Sequence, residues 1–286
     1  MIEHISTIVV CGAGTMGAGI AQTAVLSGFR TILFDLNEAV LEKAYQNITL
    51  QFEKLYEKGK LSTAARELAY LSLETTTDLQ TCFGDVIIEA IVEKIPAKVG
   101  LFNQLAEINH SDVIFCSNTS SLSISAIADK VQNPSRVVGM HFFNPAPVMK
   151  LVEIIRGTQT SEAVANRTYE LAKQMGKTPV HVKDSPGFIV NRVARHYYLE
   201  AMQLAEDGVA SLPVIDKLLE NAGFKMGPFA LMDLIGNDVN LAVTTSLYEA
   251  FDQAPRFKPG QLQIDKVAKG ELGKKTGKGF YDYTNK

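Results

Sequence analysis

A chain of 286 residues, 46% of them apolar and 21% charged, is long enough for two domains and a large core, and its composition is that of a soluble globular protein. A net charge of −3 offers nucleic acid no basic face, and no apolar run is long enough to span a bilayer. The three cysteines, Cys11, Cys82 and Cys116, lack Cys-x-x-Cys spacing and read as reduced, buried thiols, which fits a cytoplasmic protein; Met1-Ile2-Glu3-His4 lacks the basic head of an export signal.

Ile8 to Cys11 is an apolar run expected to be a strand. It breaks into Gly12-x-Gly14-x-x-Gly17, continues as a small-residue helix to Leu26, stops at Gly28 and resumes as a second apolar run closed by Asp35. Strand, tight turn, helix, strand and acid in that order form a dinucleotide-binding fingerprint. Gly12 makes the sharp turn, Gly14 lets a pyrophosphate approach the backbone, and Gly17 lets the helix lie close on its strand. The free N–H groups and positive dipole end of the helix then face the phosphates. Asp35 is placed to accept hydrogen bonds from a ribose 2′-OH and would repel a 2′-phosphate. Leu36 and Asn37 offer such a phosphate no arginine, so NAD is expected over NADP. The cofactor contacts are read as Gly12, Gly14, Thr15, Met16, Gly17 and Asp35.

A long helix follows, with apolar residues from Val40 to Tyr56 at three- and four-residue steps until Gly59. Its polar face carries Lys54 and Lys58, with Lys60 beyond; this is either a solvated charged face or a grip for a phosphorylated group. Ser62 is placed to cap a further short helix. Asp85 to Ala90 is apolar on consecutive positions, as in a parallel strand buried on both faces. The segment Ile91 to Lys98 turns into a helix opened by Pro96. Val113 to Cys116 repeats the strand theme, and Ser117-Asn118-Thr119-Ser120-Ser121 follows at its carboxyl end. Ligands of doubly wound sheets bind there, which singles out Glu93, Lys98, Asn118 and Ser120. Capping of a helix over Ser123 to Lys130 is the alternative use of the serine hydroxyls.

Arg136 to Ile155 holds two apolar runs joined by an Asn144-Pro145-Ala146-Pro147 corner. His141 ends the first and Glu153 lies in the second, so a bend at the corner would bring imidazole and carboxylate together. His4, His110, His181 and His196 lack that combination of apolar strand, proline-rich bend and facing acid. Ser161 to Met175 reads as a helix stopped by Gly176, and Pro179 to Val182 as a strand. Asp184-Ser185-Pro186-Gly187 marks a break. Beyond it strand signals vanish: Ile189 to Glu206 is a long helix, Ser211-Leu212-Pro213 caps another, and Asp238 to Phe251 has helical periodicity. The expected architecture is an α/β Rossmann-type, doubly wound, mostly parallel sheet over residues 1–184. A smaller all-α domain over 185–286 follows, and its high apolar content suggests a partner subunit.

The motifs GAGTMGAGIAQ, IIEAIVE, SNTSSLSI, GMHFFNPAPVMKLVE, DSPGFIVNR, MGPFALMDLIG and GKGFYDY run from end to end of the chain. Together they resemble the 3-hydroxyacyl-CoA dehydrogenase family, in particular its short bacterial 3-hydroxybutyryl-CoA members. The resemblance implies NAD-linked interconversion of an (S)-3-hydroxyacyl-CoA and the 3-oxoacyl-CoA. It implies His141 as catalytic base, Glu153 as its partner, and Ser120 and Asn191 completing the site and touching substrate. It also places Glu93, Lys98 and Asn118 near the nicotinamide and Lys54 and Lys58 near the CoA, and suggests a homodimer. No metal is expected. A sibling dehydrogenase acting on a non-CoA hydroxy acid, or a nucleotide-binding protein without turnover, are the rival readings.

Overall fold

In the computed structural model, which describes residues 5–284, the first apolar run lies inside a sheet and not at its edge. The N-terminal Met1-Ile2-Glu3-His4, read above for export signals, lies outside the described residues. The elements run β1 (Thr7–Cys11), α1 (Thr15–Leu26), β2 (Arg30–Phe34), α2 (Glu38–Glu57), α3 (Thr63–Leu71), β3 (Leu73–Thr76), β4 (Val86–Glu89), α4 (Ile95–Ile108), β5 (Ile114–Ser117), α5 (Ile124–Ala128), β6 (Val137–Phe142), β7 (Leu151–Arg156), α6 (Glu162–Gln174) and β8 (Thr178–Lys183). Among the described residues the strands lie side by side in the order β3-β2-β1-β4-β5-β6-β7-β8. Every neighbouring pair is parallel except β6 and β7.

Strands β4, β5 and β6 are buried at every position, as their unbroken apolar runs require for a sheet covered on both faces. Ile8, Val10, Ile88 and Met140 pack with Ala24 of α1, Leu41 and Ile48 of α2 and Leu171 of α6. Phe115 of β5 meets Phe102 of α4, with ring centroids 5.0 Å apart. Strand β3 escapes the sequence reading: Leu73-Glu74-Thr75-Thr76 is short, three-quarters polar and on the edge, and it pairs with β2 from Thr31 to Phe34. The chain reverses direction of growth between β2 and β4, on either side of β1, which opens a crevice at the carboxyl ends of these strands.

The chain divides into two compact units, Met1–Ser185 and Pro186–Lys286. The second contains α7 (Val190–Glu206), α8 (Leu212–Asn221), α9 (Pro228–Ile235), α10 (Asn237–Ala250) and α11 (Gln261–Ala268), and no strand longer than an isolated bridge among its described residues. Its core gathers Tyr198, Met202, Ile215, Phe229, Met232 and Phe280. Ser211 stands at the N-cap of α8 and Pro213 in its first turn, as read above, although the serine side chain makes no capping hydrogen bond. The second helical position is Pro213, which has no N–H to give. Two buried carboxylates latch the GKGFYDY segment. Asp233 accepts hydrogen bonds from the N–H groups of Phe280 (2.8 Å) and Tyr281 (2.9 Å) and from the Tyr283 hydroxyl (3.1 Å). Asp216 accepts from the Tyr281 hydroxyl (2.8 Å) and caps α9 through Phe229 and Ala230 N–H (both 2.9 Å). Among the described residues, no helix is long and apolar enough to cross a membrane.

Candidate active site

The turn after β1 is set by its glycines. Gly12 has φ +102°, donates its N–H to the Phe34 carbonyl at 2.7 Å, and has no room for a Cβ, which would lie 2.6 Å from the Ala90 oxygen. A Cβ on Gly17 would lie 1.7 Å from the Gly12 oxygen, so α1 rests directly on the turn. Gly14, by contrast, is exposed with nothing within 4 Å of a Cβ, and as the N-cap of α1 it provides no side chain to its amides. Exposed Thr15 and half-buried Met16 are the first helical residues there. This leaves α1 with an open N-terminus suited to an anion. Asp35 ends the neighbouring strand; its Oδ2 accepts from Ala13 N–H at 2.8 Å and its Oδ1 from Asn37 N–H at 2.9 Å. Each oxygen keeps a second lone pair for a ribose hydroxyl. These residues fit NAD.

At the ends of β4 and β5 lies a charged cluster. Glu89 is fully buried, Lys98 is 1% exposed, and their charges meet at 2.5 Å. The same ammonium lies 3.0 Å from Oε2 of the partly exposed Glu93. Oε1 of Glu93 accepts from the Thr119 hydroxyl, from Ser120 N–H at 3.0 Å and from the Ser121 hydroxyl at 3.3 Å. Glu89 accepts from the Ser117 hydroxyl at 2.7 Å and from Ile91 N–H at 2.8 Å. Burial raises the Glu89 carboxyl above its ordinary value against the pull of Lys98. Burial acts on Glu93 in the same sense, but there Lys98 and the hydrogen bonds from Thr119 and Ser120 outweigh it and the group is lowered. Lys98 therefore holds both Glu89 and Glu93, while Glu93 ties down the Ser120 loop.

Strand β7 returns antiparallel to β6 and places Glu153 opposite His141. The imidazole is 5% exposed, the carboxylate is fully buried, and Nδ1 lies 2.8 Å from Oε2. Toward an ionised carboxylate, which only accepts, the imidazole donates from Nδ1. The Phe143 ring packs on the imidazole at 4.5 Å, and Asn118 Oδ1 accepts from Phe142 N–H at 2.8 Å, joining the β5 loop to the end of β6.

The other described histidines are placed differently. His181 stacks on Tyr169 at 4.6 Å, His196 packs on Phe257, and the Nε2 of His110 is 3.9 Å from Asp85. Ser123 is the residue that caps α5, accepting from Ala126 N–H at 3.1 Å. Lys54 and Lys58 are exposed at the C-terminal end of α2, where cations also complement the helix dipole. Asn191 lies half-buried in the first turn of α7, in the C-terminal unit. Sequence reasoning missed Glu89, Ser117 and Thr119. A signal existed for Glu89, since a charge closing a strand buried on both faces needs a partner. Among the described residues no group of three or more His, Cys, Asp or Glu side chains is placed to hold a metal ion.

Comparison with known proteins agrees over the whole chain. Residues 7–185 match the family model "3-hydroxyacyl-CoA dehydrogenase, NAD binding domain" and residues 187–283 the model of the C-terminal domain of the same family. A 3-hydroxyadipyl-CoA dehydrogenase of Escherichia coli is 46% identical over 99% of this chain, which spans only 60% of that protein's length. A probable 3-hydroxybutyryl-CoA dehydrogenase of Bacillus subtilis is 41% identical over 99% of both chains. The crystal structure of (S)-3-hydroxybutyryl-CoA dehydrogenase from Ralstonia eutropha superposes with a TM-score of 0.94 at 40% identity, covering 98% of this chain and all of that one. The chain belongs to the 3-hydroxyacyl-CoA dehydrogenase family, and its N-terminal unit is that family's NAD-binding domain.

Proposed function

We propose that this protein interconverts short-chain (S)-3-hydroxyacyl-CoA and 3-oxoacyl-CoA with NAD, using His141 as general base. The observation that carries the reading is the buried His141–Glu153 pair, with Nδ1 2.8 Å from Oε2, at the carboxyl end of β6 in a NAD-binding domain. The names of the Escherichia coli, Bacillus subtilis and Ralstonia eutropha relatives support the substrate class. NAD, when bound, supplies the hydride acceptor. His141 Nε2 takes the proton of the substrate 3-hydroxyl as the C3 hydrogen leaves with its electron pair, and returns it in the reverse direction. Glu153 keeps Nδ1 protonated and stabilises the imidazolium. Such a base contributes on the order of 10²–10⁴-fold.

Ser120 and Asn191 are assigned the substrate oxygen as neutral donors. Glu93 and Asn118 are assigned the nicotinamide side, with Lys98 acting through Glu93, and Lys54 and Lys58 the CoA phosphates. A homodimer built through the C-terminal unit accords with Val193, Leu218 and Phe224, which are large apolar residues left exposed there. Three buried free cysteines accord with a reducing compartment such as the cytoplasm.

The test is NADH oxidation with acetoacetyl-CoA, repeated with NADPH, with longer 3-oxoacyl-CoAs and with free 3-oxo acids. Turnover with acetoacetyl-CoA and NADH is the expected result. Preference for a free acid would move the protein to a sibling activity, and binding of NADH without turnover on any of these substrates would make it a nucleotide-binding protein only.

A further inference from the structure

Lys177 is 8% exposed, and among the described residues no carboxylate pairs with it. Its ammonium instead donates to two main-chain carbonyls of one loop, those of Ala146 and Met149, the latter at 3.0 Å. That loop joins β6 to β7, and so joins His141 to Glu153. Its first residue, Phe143, packs its ring on the imidazole, and its middle touches the nucleotide-binding helix: a Cβ on Gly19 of α1 would lie 3.1 Å from Pro147 Cδ and 3.2 Å from Ala146 Cβ. Next to Lys177, Thr178 N–H donates to the Lys150 carbonyl at 2.7 Å, so the ammonium stands where β8 is zipped to the far end of the loop. Burying a cation without a counter-charge is costly, and burial, with Lys150 nearby, lowers the pKa of this one. Packing alone would be served by a methionine.

We propose that Lys177 is a positioning residue for the proposed reaction, pinning the Phe143–Met149 loop so that Phe143 and the His141–Glu153 pair keep the geometry the base needs. The proposal rests on the reading of His141 as that base. It touches neither substrate nor cofactor in this role.

Lys177→Met keeps the side-chain length and removes the donors. The expected result is a kcat lowered by roughly ten- to a hundredfold, the range for small misplacement of a reacting group, with KM for NADH within about twofold of the parent. Lys150→Met, which removes an exposed ammonium reaching only the Gly176 carbonyl at 3.3 Å, is the control and is expected to behave as the parent. The second readout is independent of turnover. In ¹⁵N-histidine-labelled protein, with the His141 signals assigned from His141→Gln, Lys177→Met displaces the His141 imidazole resonances and leaves those of His181 in place. Should Lys177→Met fail to fold, Lys177→Gln, which keeps a neutral donor too short to reach both carbonyls, takes its place in both measurements. Parent-like kcat, or unmoved His141 resonances, in the folded variant overturns the proposal. Displaced resonances in a protein with no acyl-CoA turnover would keep Lys177 as the pin of the loop and strike the proposed function instead.

Discussion

His141 and Glu153 stand directly opposite each other on the antiparallel strand pair of an otherwise parallel sheet, the imidazole donating from Nδ1 to a fully buried carboxylate. His141→Gln removes the base, and kcat is expected to fall by roughly 10²–10⁴-fold while NADH binding, followed by fluorescence titration, stays within about twofold. Glu153→Gln acts through the tautomer. Its amide N–H can donate to Nδ1, which moves the imidazole proton to Nε2 and blocks proton uptake from the substrate, so a loss on a similar scale is expected. Parent-like turnover in His141→Gln would remove the base assignment, and parent-like turnover in Glu153→Gln would count against the pairing.

Gly14 and Gly17 are three residues apart and predict opposite outcomes on substitution by alanine. The Gly17→Ala methyl would lie 1.7 Å from the Gly12 oxygen, so the helix must lift off its strand and thermal stability must drop. The Gly14→Ala methyl meets nothing within 4 Å, so the fold and melting temperature hold while NAD affinity falls, because the methyl occupies the pyrophosphate's approach. Differential scanning fluorimetry with and without NAD separates the two. A Gly14→Ala protein with parent-like NAD affinity would place the phosphates elsewhere.

Asp35 fills part of its accepting capacity with Ala13 and Asn37 N–H groups and keeps the rest for the adenosine ribose. Asp35→Ser is expected to weaken NADH and relieve repulsion of the 2′-phosphate, lowering the ratio of KM for NADPH to KM for NADH by about tenfold, or ~1.4 kcal/mol. A ratio that does not move would mean that the adenosine ribose binds away from the end of β2.

Lys54 and Lys58 lie on the exposed end of α2. If they grip CoA phosphates, the double alanine variant raises KM for acetoacetyl-CoA several-fold, more at low salt than at high, and leaves kcat alone. An unchanged KM at low ionic strength would return them to the role of dipole-complementing surface charges.

Cys116 is fully buried, and burial pushes its thiol up to about 12. In the unfolded chain a cysteine ionises near ~8.5. The folded state therefore holds this proton more tightly: its contribution to stability is intact below about pH 8.5 and is lost as the pH climbs towards the folded value. Urea midpoints measured from pH 7 to pH 11 are expected to fall across that window, and Cys116→Ala to make the decline shallower. An equal slope in the variant would show that the thiol is not protected.

Much of the site was legible because its signals are local. The turn from Gly12 to Gly17 lies within six residues and the acid that closes β2 follows one helix later, so strand, turn and helix periodicities alone locate them. His141 and Glu153 were recognisable as partners because a single proline-rich bend separates two apolar runs, and antiparallel pairing supplies the rest. Strand β3 escaped because four residues on a sheet edge, two of them exposed, carry no alternation to read. Glu89 and Lys177 were missed, and the burial of Lys98 with them, for another reason: a charged side chain looks solvent-facing in sequence, and only the folded neighbours show that it is enclosed. Lys98, expected near the nicotinamide, also pairs with two carboxylates, which its sequence position did not announce.

The two aspartates that hold the GKGFYDY segment carry a consequence for how the chain is made. Until residues 279–283 have been synthesised, Asp233 lacks the main-chain donors of Phe280 and Tyr281 and keeps the Asn237 amide, 2.9 Å from its Oδ1, too little to offset full burial of a carboxylate. The NAD-binding domain has all its strands by residue 183 and is free to form while the helical unit is still emerging from the ribosome. The helical unit, in contrast, waits for its own tail. Ribosome-arrested chains ending at residue 272 should show a protease-resistant first domain followed by a digestible second one, and resistance of both at that length would refute this order.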